Sequence, residues 1–191
     1  MARFIIRGGK KIGGTFRPLG NKNAVLPMLA ACVLTDAPLV LENVPQILDV
    51  DNMLKLLADL GVAVSRQGHT VELCAQGLKK TELDRDLCTR VRGSILMAGP
   101  LPARHGSTTL FAPGGDVIGR RRLDTHFEGL DQLGIGMVWR GDAFQLQRKR
   151  GFRGAEILLD EASVTATENI LMAATLAPGR TTILNAACEP H

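Results

Sequence analysis

Tyrosine is missing from this sequence altogether, and Phe and Trp bring the aromatic share to only 4% of 191 residues. A core must then be packed mainly from Leu, Ile, Val, Ala and Met. A single-stranded nucleic-acid surface, which normally adds exposed stacking rings, is not expected. Long apolar runs are missing too. Nothing approaches the 18 or more apolar residues of a membrane helix, and the apolar part of "MARFIIRGGKK" is too short for a secretory signal. Cys32, Cys74, Cys88 and Cys188 form no C-x-x-C pair, so neither a zinc cluster nor a disulfide framework is expected. All four read as reduced cytoplasmic thiols. His69, His105, His126 and His191 are scattered without metal-ligand spacing, and "GGKKIGG" (8–14) holds no phosphate-loop signature. Neither metal nor cofactor is expected.

What is present suits a globular protein. The chain is 45% hydrophobic and 22% charged, enough to bury a sizeable core. Its net charge of +4 and pI near 9.1 fit an anionic small substrate.

The chain also repeats itself. "VDNMLKLLADLGVAVSRQG" (50–68) and "LDTHFEGLDQLGIGMVWRG" (123–141) align with one constant offset, Asp51 on Asp124, Leu60 on Leu133, Gly61 on Gly134 and Gly68 on Gly141. Met53, Leu54, Leu57 and Leu60 recur at helical spacing, and the following glycine sits where a helix C-terminus is expected. The unit predicted is helix, strand, turn, strand. A second echo links "NAVLPMLAACVLTDAPLVLEN" (23–43) to "ENILMAATLAPGRTTILN" (168–185), both apolar helices passing into a strand. "RGSILMAGPLPARHGSTTLFAP" (92–113) repeats that order of apolar helix, turn and strand. The offset puts a third LG-ended helix beyond His191, so the reading expects units over roughly 14–84, 85–150 and a truncated 151–191.

"GTFRPLGNKNAVLPMLAACVL", "NVPQILDVDNMLKLLADLG", "RGSILMAGPLPARHG", "APGGDVIGRRRLD", "GLDQLGI" and "SVTATENILMAATLAPGRTTILNAACEP" together resemble the N-terminal part of the UDP-N-acetylglucosamine enolpyruvyl transferases. The resemblance runs from about residue 3 to the end. It implies an inside-out α/β barrel of three repeated units, with residues 1–191 forming most of one domain and a second domain absent. The implied reaction joins phosphoenolpyruvate to the 3′-hydroxyl of UDP-N-acetylglucosamine and releases phosphate, the committed step of peptidoglycan synthesis. Both substrates are polyanions, so fixed cations, backbone N–H groups and a proton donor are needed.

The resemblance assigns those roles. Lys22 matches a lysine that contacts both substrates, and Asn23 is its amide neighbour; "GNKNA" (20–24) should also turn helix N–H groups toward an anion. Arg92 matches an arginine that helps bind substrate phosphate, and Arg121 a loop arginine that closes on phosphoenolpyruvate, where a planar guanidinium suits bidentate binding. Arg122, Leu123, Asp124 and Thr125 fall in the stretch cradling the uridine nucleotide, with Ala162, Ser163 and Val164 in a second such stretch. Asp116 stands where many members carry a cysteine general acid; a carboxyl can donate the proton but cannot form the thioether that fosfomycin exploits. Arg122 replaces a common Pro, Glu161 a frequent Lys, and Leu96 a Trp of some members.

The competing expectations are a paralogue acting on another acceptor, and an incomplete, non-catalytic nucleotide-sugar-binding fragment. The partners expected are the two small substrates, with no nucleic acid and no membrane, and a missing second domain or a self-associating copy to complete the chain.

Overall fold

The computed structural model describes residues 3–115 and 122–191. The first buried helix, α1 (Lys22–Ala31), leads through a short 3₁₀ turn into β1 (Leu39–Leu41). Then follow α2 (Leu48–Asp59), β2 (Ala63–Gln67) and β3 (Thr70–Cys74). The returning strand inserts itself, giving an antiparallel sheet of order β1-β3-β2.

After α3 (Arg85–Arg90), a 3₁₀ run (Arg92–Met97) and α4 (Pro100–His105), the pattern recurs as β4 (Ser107–Phe111), α5 (Asp124–Gln132), β5 (Ile135–Arg140) and β6 (Ala143–Arg148), with order β4-β6-β5. Last come β7 (Glu156–Leu158), α6 (Val164–Ala174) and β8 (Thr182–Leu184), with β7 and β8 parallel. A parallel bridge of Glu82 to Thr109 on β4 repeats the Glu156–Thr182 pairing of β7 and β8.

The apolar periodicity dictates α2: Met53, Leu56, Leu57 and Leu60 are all fully buried, each contributing roughly 1.5–3 kcal/mol by burial. Gly61 ends it with φ +98°, and a side chain there would press on the Gly77 carbonyl oxygen at 2.7 Å. The second echo is equally physical, since an Asn at positive φ lies just past each strand, Asn43 at 56° two residues after β1 and Asn185 at 57° directly after β8.

Helices form the interior. Leu29 of α1, Leu101 of α4, Met97 of the 3₁₀ run and Ile170 of α6 are fully buried, while β2 alternates exposed and half-buried side chains on the outside.

The strands fall into three separate sheets with β1, β2 and β5 at sheet edges, and no closed barrel is present among the described residues. One expectation needs correction. The apolar helix expected after Arg92 is broken: a 3₁₀ run stops at Met97, and α4 begins at Pro100, which has no N–H to extend a helix backwards.

Candidate active site

Three helix starts meet at one place. Asn21 caps α1, its side-chain oxygen accepting from Asn23 N at 2.7 Å and Ala24 N at 3.2 Å. Two of the N–H groups expected to face an anion are therefore already taken by the cap. Lys22 projects from the same turn and is ion-paired with Asp49 in the first turn of α2. Arg92 opens the 3₁₀ run half-buried. Val164 opens α6, which Ser163 caps, its hydroxyl accepting from Ala166 N at 3.4 Å.

Lys22 and Asn23 of α1, Arg92 and Leu96 of the 3₁₀ run, and Val164, Thr165 and Glu168 of α6 line one pocket of about 240 Å³. Residues some seventy positions apart are thus brought together. The glycine arm of "APGGD" approaches the same place. Gly114 N donates to the Cys88 carbonyl at 3.0 Å, and any side chain at Gly114 would collide with the Thr89 carbonyl. Gly115 lies against Arg92. Asp116 and Arg121, assigned to proton donation and phosphoenolpyruvate binding, lie outside the described residues.

The other assigned residues form a second group. Arg122, Leu123 and Asp124 line a pocket of about 670 Å³ with Phe127, Met137, Trp139 and Phe144. Arg122 grips Asp124 through Nε at 2.9 and 3.0 Å and Nη2 at 2.6 Å, and its Nη2 also reaches Asp160 at 2.5 Å. Thr125 Oγ1 donates to Asp160 at 2.7 Å, joining α5 to the segment before α6. The guanidinium proton is held more tightly than usual by its bonds to Asp124 and then Asp160. The same bonds hold the Asp124 carboxyl below its ordinary range, while Asp160 is lowered chiefly by the Thr125 hydroxyl. An anion approaching Arg122 competes with two carboxylates already bound there. Ala162 is exposed beside the Ser163 cap.

Residue-by-residue reading missed several neighbours. Asp49 and Asp160 are the counter-ions of Lys22 and Arg122. Glu168 lines the first pocket; burial pushes its carboxyl up, and His191 Nε2 lies 3.0 Å away. Asn169 is fully buried behind it. Glu168 and Asn169 stand in "SVTATEN", and their helical spacing from Val164 and Thr165 was the available signal.

The family model for EPSP synthase (3-phosphoshikimate 1-carboxyvinyltransferase) matches residues 6–191, nearly the whole chain. The chain belongs to the EPSP synthase family. Within this family it is similar to the UDP-N-acetylglucosamine 1-carboxyvinyltransferase of Borreliella burgdorferi, 49% identical over 191 residues, covering 100% of this chain and 44% of that protein. The enzyme of the same name from Bradyrhizobium diazoefficiens is 47% identical over 190 residues, covering 99% of this chain and 44% of its own length. The chain thus spans less than half the length of these curated relatives.

Among solved structures, the enolpyruvyl transferase NikO from Streptomyces tendae superposes with a TM-score of 0.70 at 23% identity, over 88% of this chain and 39% of that one. EPSP synthase from Acinetobacter baumannii gives 0.70 at 18% identity, over 93% and 41%. At such identities these two establish the shared fold of the EPSP synthase family and nothing finer.

Proposed function

We propose that this chain is part of an enolpyruvyl transferase that moves the enolpyruvyl group of phosphoenolpyruvate to the 3′-hydroxyl of UDP-N-acetylglucosamine. The observation carrying this reading is the meeting of Lys22, Asn23, Arg92 and Val164 in one pocket, in a chain 47–49% identical to proteins named for that reaction. Lys22 and Arg92 supply fixed positive charge, and Asn23 an amide for the sugar nucleotide. Leu123, Asp124, Thr125, Ala162 and Ser163 frame the nucleotide, with Arg122 holding that frame through Asp124 and Asp160. Asp116 protonates the phosphoenolpyruvate methylene to a methyl group while the 3′-oxygen adds to the adjacent carbon and gives up its hydroxyl proton to a base; loss of one methyl proton together with phosphate then restores the double bond. Arg121 stabilises the departing phosphate.

No helix among the described residues is long and apolar enough to cross a membrane. The reading carries a cytoplasmic location with it, in keeping with four free thiols. Its architectural part is that the units 14–84, 85–150 and 151–191 belong to an inside-out barrel.

The test is calorimetric titration with UDP-N-acetylglucosamine alongside phosphate release with phosphoenolpyruvate added. Saturable binding with turnover supports transfer. Binding without turnover supports a second reading, that of a nucleotide-sugar-binding portion needing further polypeptide, which the 44% coverage of the relatives favours. No binding removes both. Intact mass after fosfomycin treatment with the sugar nucleotide present checks the carboxyl assignment: no adduct is expected, and a single adduct on Asp116 contradicts it.

A further inference from the structure

Behind the candidate pocket lies a buried polar cluster that neither the implied chemistry nor the hydrophobic core requires. His126 is 1% exposed and Asn169 0%. Asn169 Oδ1 accepts from Gly99 N at 2.7 Å, and its Nδ2 donates to the Ile95 carbonyl at 2.9 Å. Those two partners fix which end of the amide is nitrogen, because the reverse orientation would set donor against donor and acceptor against acceptor. The same Nδ2 lies 3.1 Å from His126 Nδ1, so that ring nitrogen must accept and carries no proton. The proton belongs to Nε2, which donates to Thr165 Oγ1 at 3.1 Å. Every polar atom of both side chains is then used.

The cluster joins three of the elements that carry the candidate site residues, α5, α6 and the 3₁₀ run. His126 stands in the first turn of α5, directly after Asp124 and Thr125. Asn169 and Thr165 lie on α6, which Ser163 caps and Val164 opens. Ile95 lies on the 3₁₀ run opened by Arg92. Arg92 and Asp124 are the charged groups facing the imidazole. Burial first, then Arg92, drive its pKa down to about 4, with Asp124 opposing.

The internal repeat shows that packing does not demand this histidine. By the register that aligns Asp51 with Asp124, His126 corresponds to Met53, which is fully buried in the first unit. An apolar side chain fills the same place there.

We infer that His126 and Asn169 are positioning residues, holding α5, α6 and the Arg92 segment in the register that the nucleotide-sugar site needs, with His126 as the neutral Nε2–H tautomer. The inference rests on the proposed function for its ligand. It is tested with His126→Met, which installs the first unit's own residue, and His126→Gln, whose amide keeps one acceptor and one donor. Affinity for UDP-N-acetylglucosamine is measured by calorimetry, melting temperature by circular dichroism, and the imidazole by ¹⁵N NMR.

Expected are a His126→Met protein that melts within a few degrees of the parent yet binds at least tenfold more weakly, a His126→Gln protein within about threefold of the parent, and a parent imidazole protonated on Nε2 alone between pH 7 and 5. A folded His126→Met protein with parental affinity, or a parent protonated on Nδ1, overturns the inference. Should His126→Met not fold, His126→Gln decides: retained affinity supports it and a tenfold loss at native melting temperature contradicts it. Should the parent itself not bind the sugar nucleotide, the proposed function fails while the inference is still read from amide shifts of Arg92, Gly93 and Val164 in the His126 variants. Displaced shifts support positioning, and unmoved shifts refute it.

Discussion

Helices α2 and α5 occupy equivalent places in two copies of one unit, yet their matching residues do different work. In α2, Asp51 pairs with Arg66 of β2 in the same unit at 2.7 Å, Asn52 reaches the Arg90 carbonyl at 3.4 Å, and Met53 is buried among apolar neighbours. In α5, the matching Asp124 is held by Arg122, Thr125 reaches forward to Asp160, and His126 bonds to Thr165 and Asn169 of α6. The sheet order is the same in both. In the first copy Asp51 closes the unit on itself while Asn52 reaches α3 of the second, and the second copy uses Thr125 and His126 to grip the third. Repetition supplies the scaffold, and a few buried polar substitutions turn one copy into part of a site.

The largest test of this contrast is Asn169→Leu. It strands the Gly99 N–H, the Ile95 carbonyl and His126 Nδ1 in a buried setting, where each unmet group costs about 1–3 kcal/mol. Urea unfolding should register a loss of about 3–4 kcal/mol, at the upper end for single substitutions. A loss below about 1 kcal/mol would mean the grip between copies is dispensable.

Next in size is a pH effect carried by the second copy alone. Unfolded His126 takes a proton below about 6.5 and folded His126 only near 4. Folding is therefore unaffected by this group above pH 6.5 and loses stability as pH falls from 6.5 toward 4. From those two values the loss by pH 4.5 is roughly 2–3 kcal/mol. His126→Met, which makes α5 resemble α2, should remove that part of the acid sensitivity. Urea unfolding at pH 7 and 4.5 compares the two proteins, and equal pH dependence would contradict the buried neutral imidazole.

A smaller change is expected from Thr125→Val, which deletes the hydroxyl donor to Asp160 while keeping shape. The melting temperature should drop by a few degrees, and no drop would detach Asp160 from the frame. Smallest of all is Arg122→Gln. The Arg122, Asp124 and Asp160 side chains are 43%, 50% and 36% exposed, and solvent screens such pairs heavily. Unfolding should barely change, with whatever difference there is vanishing at high salt. A large salt-independent loss would show that the pair is not a surface one.

Much of the scaffold was legible because it rests on local rules. The stripe of Met53, Leu57 and Leu60 and the glycines after each helix locate α2 and α5, while the turns at Gly68 and Gly141 locate both hairpins. What escaped depends on distant partners. Nothing near Arg122 announces Asp160, 38 positions on, which takes one side of its guanidinium. The apolar helix expected at the start of 92–113 is instead a 3₁₀ run, which Pro100 and the Asn169 bond to Gly99 separate from α4. The insertion of β3 between β1 and β2 is a choice of hydrogen-bonding edge that alternation alone does not encode. Within the candidate site, Lys22, Asn23, Arg92 and Val164 were named from sequence and share a pocket, while their carboxylate counter-ions were not.

The central claim is that helix starts from distant parts of the chain build one anion-binding site around Arg92. Its most direct measurement is calorimetric titration of UDP-N-acetylglucosamine into the parent and Arg92→Ala proteins at matched salt. The account predicts a weakening of thirtyfold or more, about 2 kcal/mol at 1.4 kcal/mol per decade, with melting temperature little changed. Equal affinity in two folded proteins would contradict it.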